Sequence, residues 1–360
     1  MKANMATRIR VGLIGYGIAG RVFHAPMINA IPDLKLTKVV ERHGESSCQH
    51  YPWVEVVRHA DDLLGDPAID LVVIATPNTS HFELAQQALL AGKHVVVDKP
   101  FTTTSAQAQQ LIELAQQTRR VLSVHQNRRW DGDFQTVKQV IEQGFLGRLV
   151  EYEAHYDRFR NTLKPRAWRE TPALGSGILF DLGSHLIDQA QVLFGLPQII
   201  TADIRVQREG AKVDDYFEIG LDYRDLKVIL KAGMLVREPG PHFILHGSKG
   251  SFIKHGMDPQ EAALRHGLAP SEPDWGLEPQ AQWGTLNTQI GGLHFYGQLE
   301  TVQGCYQAFY ENIYQAIVQG TELAVKPEEA RNTIRIIELA LESNRERCTK
   351  LYRDFDETEK

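Results

Sequence analysis

The sequence predicts an α/β chain in two parts: a doubly wound parallel sheet, then an α+β domain with a mostly antiparallel open sheet. Short apolar strands alternate with helical patterns from about residue 8 to residue 127, as a βαβ series does. From Arg148 onward the runs alternate polar and apolar residues instead, the pattern of strands with one wet face. At 360 residues the chain is long enough for two cores. These patterns place one domain at 1–127 and a second at 128–360, with the C-terminal helix free to pack back on the first.

The first strand is Arg10–Ile14, and Gly15-Tyr16-Gly17-Ile18-Ala19-Gly20 follows it at once. This is a GxGxxG turn between a strand and a helical pattern, the context in which it holds a dinucleotide. Gly15 permits the tight turn, Gly17 lets backbone approach a pyrophosphate, and Gly20 lets the helix pack close to the sheet. The helix start offers free N–H groups to the anion. Leu34–Val40 is the second strand, and it ends at Glu41-Arg42, 21 residues after Gly20, where a ribose-reading side chain is expected. Glu41 suits the hydroxyls of NAD and Arg42 the 2′-phosphate of NADP, so either cofactor is open.

Asp61–Leu64 begins a short helix, and Leu71–Ala75 is a buried strand ending at Thr76-Pro77-Asn78. His81 opens the next helix, and Gly92 caps it. His94–Val97 is another buried strand, and it ends at Asp98-Lys99-Pro100. Ligands of such sheets bind beyond the carboxyl ends of the strands, where Gly15, Glu41, Thr76 and Lys99 all fall. Lys99 is a candidate proton donor or substrate clamp, and Pro100 can fix a cis bond. Ser105–Thr118 is helical, Val121–Val124 is a strand, and Asn127 beyond it can reach a cofactor. This first part reads as a Rossmann domain.

In the second part, Arg148–Asp157, Ile199–Arg205, Asp215–Asp222, Lys227–Leu235 and Phe243–Gly247 are strand-like. Residues 255–300 show no clear period and read as long loops. Two helices close the chain, one with a Phe309, Ile313, Ala316, Ile317 stripe, the other starting at Pro327 with Ala330, Ile334, Ile337 and Leu341. Between these strands lies Gly175–Asp188, GSGILFDLGSHLID. On a helix its Asp181, His185 and Asp188 share one face. The pair of Asp181 and His185 suits acid–base work: the carboxylate orients the ring, and the ring titrates near neutrality.

Composition limits the partners. A 42% apolar, 23% charged chain of net charge −6 is globular and has no basic field for nucleic acid. Cys48, Cys305 and Cys348 are far apart and form no CxxC, and the histidines are scattered, so no metal is expected. No apolar run approaches the roughly 18 residues of a membrane span, and no signal peptide is visible. The expectation is a cytoplasmic protein without a membrane partner.

The motifs GYGIAG, TPNTSH, AGKHVVVDKP and GSGILFDLGSHLID, in this order, resemble the glucose–fructose oxidoreductase/inositol dehydrogenase (Gfo/Idh/MocA) family over essentially the whole chain. The resemblance implies an N-terminal Rossmann domain carrying NAD or NADP and a C-terminal domain serving substrate and subunit contacts, in homodimers or homotetramers. It maps the family lysine onto Lys99 and the Asp-x-x-x-His onto Asp181 and His185. It also maps a cofactor-approaching tryptophan–arginine stretch onto Arg166-Ala167-Trp168-Arg169. Asp98 stands where the family usually has Glu. The text HQNRRWDGDF and HYDRFR is most similar to the branch holding NADP-dependent scyllo-inositol dehydrogenases, although Glu41 departs from that branch's small hydroxyl residues. The implied activity is hydride transfer between nicotinamide and a secondary alcohol or ketone of a cyclic polyol or sugar, with Lys99, Asp181 and His185 catalytic. The alternative is a non-catalytic dinucleotide-binding sensor or corepressor.

Overall fold

The structure, a computed structural model, describes residues 8–164 and 168–353, so Arg166 and Ala167 lie outside the described residues. It divides into two compact units.

The first unit comprises Met1–Trp130, Pro259–Gly276 and Cys305–Arg331. Its sheet holds β1 (Ile9–Ile14), β2 (Leu34–Val40), β3 (Glu55–Val57), β4 (Leu71–Ile74), β5 (His94–Asp98) and β6 (Leu122–His125). Their order is β3-β2-β1-β4-β5-β6, all parallel. Chain order reverses between β1 and β4, which opens a crevice at the carboxyl ends of those strands. Val72, Val73, Val95 and Val96 are fully buried, as strands covered on both faces require. The helix Ser105–Thr118 starts at Thr104, whose side chain accepts from the Gln107 N–H, and stops at Arg119 in the left-handed region (φ 55°). The helix Gln307–Gln319 also belongs to this unit: its Phe309 ring sits 4.9 Å from that of His125.

The second unit comprises Asp131–Asp258, Leu277–Gly304 and Asn332–Lys360. Its strands are β7 (Leu149–His155), β8 (Ile199–Arg205), β9 (Tyr216–Asp222), β10 (Lys227–Gly233), β11 (Phe243–Gly247), β12 (Gly250–Lys254), β13 (Gly284–Ile290), β14 (Leu293–Leu299) and β15 (Lys350–Leu351). They pair in the order β14-β13-β12-β11-β7-β10-β9-β8-β15, antiparallel except for β7 with β10. Alternate residues of the central strands (Tyr152, Ala154, Phe217, Ile219, Val228, Leu230) are buried, and with Leu186 and Ile187 they form the core.

Two expectations are corrected. Residues 255–300 are not simply loops: they contain the helix Gln260–Arg265 and the β13–β14 hairpin. β14 is almost wholly exposed, so burial imposes no alternation on its sequence. In the last helix Leu341 is exposed, and Ile336 and Leu339 join the buried face with Ile337 and Ala340.

Candidate active site

In the first unit the glycine turn behaves as its pattern requires. Gly15 has φ +97°, and a Cβ there would stand 2.8 Å from the Ala75 carbonyl oxygen. A Cβ on Gly20 would stand 2.1 Å from the Gly15 carbonyl oxygen, so the close approach is to the turn itself rather than to the sheet. Gly17 faces open space, with nothing within 4 Å of its Cβ position, and Ile18 is exposed. Tyr16 follows Gly15, and burial pushes its hydroxyl above the usual phenol range. The chain then winds through a π-helical segment, Ala19–His24, into the helix Ala25–Ala30. Open space over Gly17 and backbone N–H groups at a helix start fit the diphosphate of a dinucleotide.

Glu41 ends β2 as expected, but its carboxylate is already engaged. Oε2 accepts from Ser46 N (3.0 Å) and Ser46 Oγ (2.7 Å), and Oε1 accepts from Ser47 N (2.8 Å). Burial raises its pKa, yet these bonds win and hold it below the usual value. Arg42 beside it is exposed. Beyond β4, the Thr76 hydroxyl accepts from Ser80 Oγ at 2.8 Å, Pro77 is exposed and Asn78 is buried. His81 is buried with Nε2 3.0 Å from the Thr76 carbonyl and Nδ1 2.9 Å from the Pro100 carbonyl. Burial lowers its pKa, so the neutral ring donates to one carbonyl at a time and lies between the turns after β4 and β5.

The Lys99–Pro100 bond is cis, and Lys99 is half-buried at the end of β5. Beside it, Asp98 lies 3.5 Å from His24 Nε2 and 3.9 Å from His125 Nδ1, and Tyr310 Oη meets His24 Nδ1 at 2.6 Å. Burial opposes the charge on Asp98, but His24 and then Lys99 hold its carboxyl well below the usual range. Sequence spacing hid this meeting because the residues come from three separate elements. Their donor atoms lie within 4.8 Å of one another. Asp98 is the one carboxylate of the trio His24, Asp98 and His125, and it faces both imidazoles. Asn127 is buried in the turn Asn127–Trp130 that follows β6.

In the second unit, Gly175–Asp188 is not one regular α-helix. A π-helical turn, Leu179–Gly183, carries Asp181, and the α-helix Ser184–Phe194 carries His185 and Asp188. The wider turn breaks the 3.6-residue period that put all three on one face. His185 and Asp188 are buried, whereas the Asp181 side chain is 25% exposed and pairs with Arg169 (Nε to Oδ1, 3.2 Å). The Arg169 guanidinium also lies 4.5 Å from the Trp168 ring centroid, so this stretch is tied to the candidate acid–base pair. The Tyr156 ring stands edge-on to His185 (6.5 Å) and stacks on His242 (5.0 Å), whose Nδ1 is 2.9 Å from Asp133 Oδ2. Asp133 and Tyr156 lie in the stretches HQNRRWDGDF and HYDRFR, but their meeting with His242 has no sequence signal, because the three come from separate parts of the chain.

A Rossmann sheet with an open glycine cradle, joined to an open-sheet domain bearing an Asp–His segment, defines an NAD(P)-binding oxidoreductase. Models of the oxidoreductase family match its NAD-binding Rossmann fold at residues 9–126 and its C-terminal alpha/beta domain at 138–350. The chain belongs to the Gfo/Idh/MocA oxidoreductase family. It is 40% identical to the scyllo-inositol 2-dehydrogenase (NADP(+)) IolW of Bacillus subtilis, over 95% of each chain. It is also 45% identical to the oxidoreductase YdgJ of Escherichia coli, over 96% of this chain and 99% of that protein. The solved structure of the Bacillus subtilis oxidoreductase yvaA superposes with a TM-score of 0.94 at 39% identity, covering 98% of this chain and 100% of that one. The relatives are dehydrogenases and oxidoreductases, and the sensor alternative finds no support among them. No helix among the described residues is long and apolar enough to cross a membrane.

Proposed function

We propose that this chain moves a hydride between NADP and a secondary alcohol or ketone of a cyclic polyol or sugar of the inositol type. The observation that carries the reading is chemical: Lys99 stands directly after β5, and Asp181 and His185 occupy one short segment of the second unit. The nicotinamide, when bound, supplies the hydride acceptor. Gly15, Gly17, Ala19 and Gly20 hold its diphosphate, with Tyr16, Ile18, Thr76, Pro77, Asn78, Asn127, Trp168 and Arg169 as further cofactor neighbours. His185 takes the hydroxyl proton as general base, and Asp181 supports the imidazolium. Lys99 hydrogen-bonds the reacting oxygen and stabilises the charge that develops on it.

The preference for NADP rests on Glu41 and Arg42. The Glu41 oxygens are taken by Ser46 and Ser47, which leaves the exposed Arg42 to meet a 2′-phosphate. The same reading carries a cytoplasmic homodimer or homotetramer, which light scattering on the purified protein resolves.

The test is nicotinamide reduction with NAD and NADP separately, on myo-inositol, scyllo-inositol, glucose and xylose. Activity on one polyol should fall by about a hundredfold or more in Lys99→Ala while nucleotide binding persists. Equal loss of turnover and nucleotide affinity would remove the role given to Lys99.

A further inference from the structure

The Asp181 segment starts with a problem. Its first N–H groups have no partner within the helix, and a π-turn is a rare way to begin one. One residue outside the segment answers both. Asp214, in the loop ahead of β9, accepts from Ile178 N with its carbonyl (3.1 Å) and from Leu179 N with Oδ2 (2.7 Å). Its carboxylate also fills the space over Gly177. That glycine has φ +88°, and a Cβ on it would stand 1.9 Å from Asp214 Oδ1. The glycine of GSGILFD is therefore needed both for its backbone and for this carboxylate. From Gly177 the geometry passes on directly: Gly177 N donates to the Arg169 carbonyl (3.0 Å), the Gly177 carbonyl accepts from Asp181 N (3.3 Å), and Arg169 pairs with Asp181.

The neighbouring Asp215 shows what an ordinary structural carboxylate looks like here. Its oxygens accept from Gln207 N, Arg208 N and Arg208 Nε, so a cation balances it, and Arg208 reaches Glu170 as well. Asp214 bonds neutral N–H groups, and burial pushes its carboxyl up to about 6, with Asp215 adding to the rise. One residue thus takes two N–H groups at the start of the π-turn and fills the space over Gly177, so the placement of its acceptor atoms, not a paired cation, fixes the turn.

We propose that Asp214 is a positioning residue for the Asp181–His185 segment, fixing where the π-turn begins and so where both side chains sit. The kinetic arm of its test rests on the dehydrogenase reading above, and the exchange arm does not. The experiment compares Asp214→Ala, Asp214→Asn and Asp214→Glu by amide hydrogen exchange over residues 177–188 and by steady-state kinetics. In Asp214→Ala, exchange over this segment should rise about tenfold and kcat should fall about tenfold or more, with the KM for NADP unchanged. Asp214→Asn, which keeps an acceptor in the same place, should restore both to within about threefold of the parent. Parent-like exchange and kcat in Asp214→Ala would overturn the proposal, as would a folded Asn variant that fails like Ala. Should Asp214→Ala not fold, Asp214→Glu decides: moving the carboxylate by one methylene should lower kcat, and a parent-like kcat overturns the idea. If the unmodified protein turns over no polyol, the dehydrogenase reading fails, and the exchange comparison alone still judges Asp214.

Discussion

Glu41 shows how a residue can stand in the expected place and still be unavailable. A carboxylate at the end of β2 suits a ribose diol only if its oxygens are free to accept. Here they close the loop to Ser46 and Ser47 instead. Arg42→Ala should then raise the KM for NADP about tenfold, roughly 1.4 kcal/mol, and leave that for NAD within about twofold. Equal KM changes for both nucleotides would return the choice to side chains elsewhere. Residues with local backbone roles are legible in the sequence: Gly15 with its positive φ, and Pro100 with its cis bond. Residues whose partners come from distant elements are not. The Arg169–Asp181 pair, the His24–Asp98–His125 trio and the Asp214 cap depend on turns whose geometry no spacing encodes.

At the scale of elements, the glycine turn separates two demands that a single motif merges. Gly20 is held by fit, because its Cβ would meet the Gly15 carbonyl at 2.1 Å, whereas Gly17 has room for one. Gly20→Ala should cost about 1–3 kcal/mol of stability, the usual range for overpacking backbone. Gly17→Ala should leave stability within about 0.5 kcal/mol and yet weaken dinucleotide binding, because its methyl enters the space the diphosphate needs. Thermal melts and nucleotide titration of both variants check this, and a Gly17→Ala protein with parent affinity would refute the cradle. Regular elements with a buried face were legible for the same reason: fit imposes a period. The β13–β14 hairpin escaped because β14 is exposed, although Gly291-Gly292, at φ 59° and 84°, is a two-residue turn signal that was there to use. The π-turn escaped because its residues also satisfy a 3.6-residue period.

At the scale of the whole molecule, fold class follows from the change of pattern near residue 148, and the pH dependence of stability follows from half-buried carboxylates whose surroundings come from separate elements. Two of them act in opposite directions with pH. Glu261 is held down to about 2: burial opposes its charge, but Arg128 and Arg265 outweigh it. Its folded value lies below its ordinary value of 4.5, so it contributes stability above that pH and loses it as pH falls toward about 2. Asp214 is raised from 3.8 to about 6, so the folded state holds its proton longer than the unfolded chain does. Its contribution is fully present below 3.8 and is lost as pH rises through about 6. Removing each charge should therefore leave opposite signatures. Glu261→Gln should lower Tm at pH 7, with the gap to the parent closing as pH falls below 4.5. Asp214→Asn, which still accepts from Leu179 N, should melt above the parent at pH 7, with the gap closing as pH falls from about 6 to 3.8. Melting curves across this range decide both. An Asp214→Asn protein less stable than the parent at pH 7 would mean that the carboxylate charge supports the fold rather than opposing it.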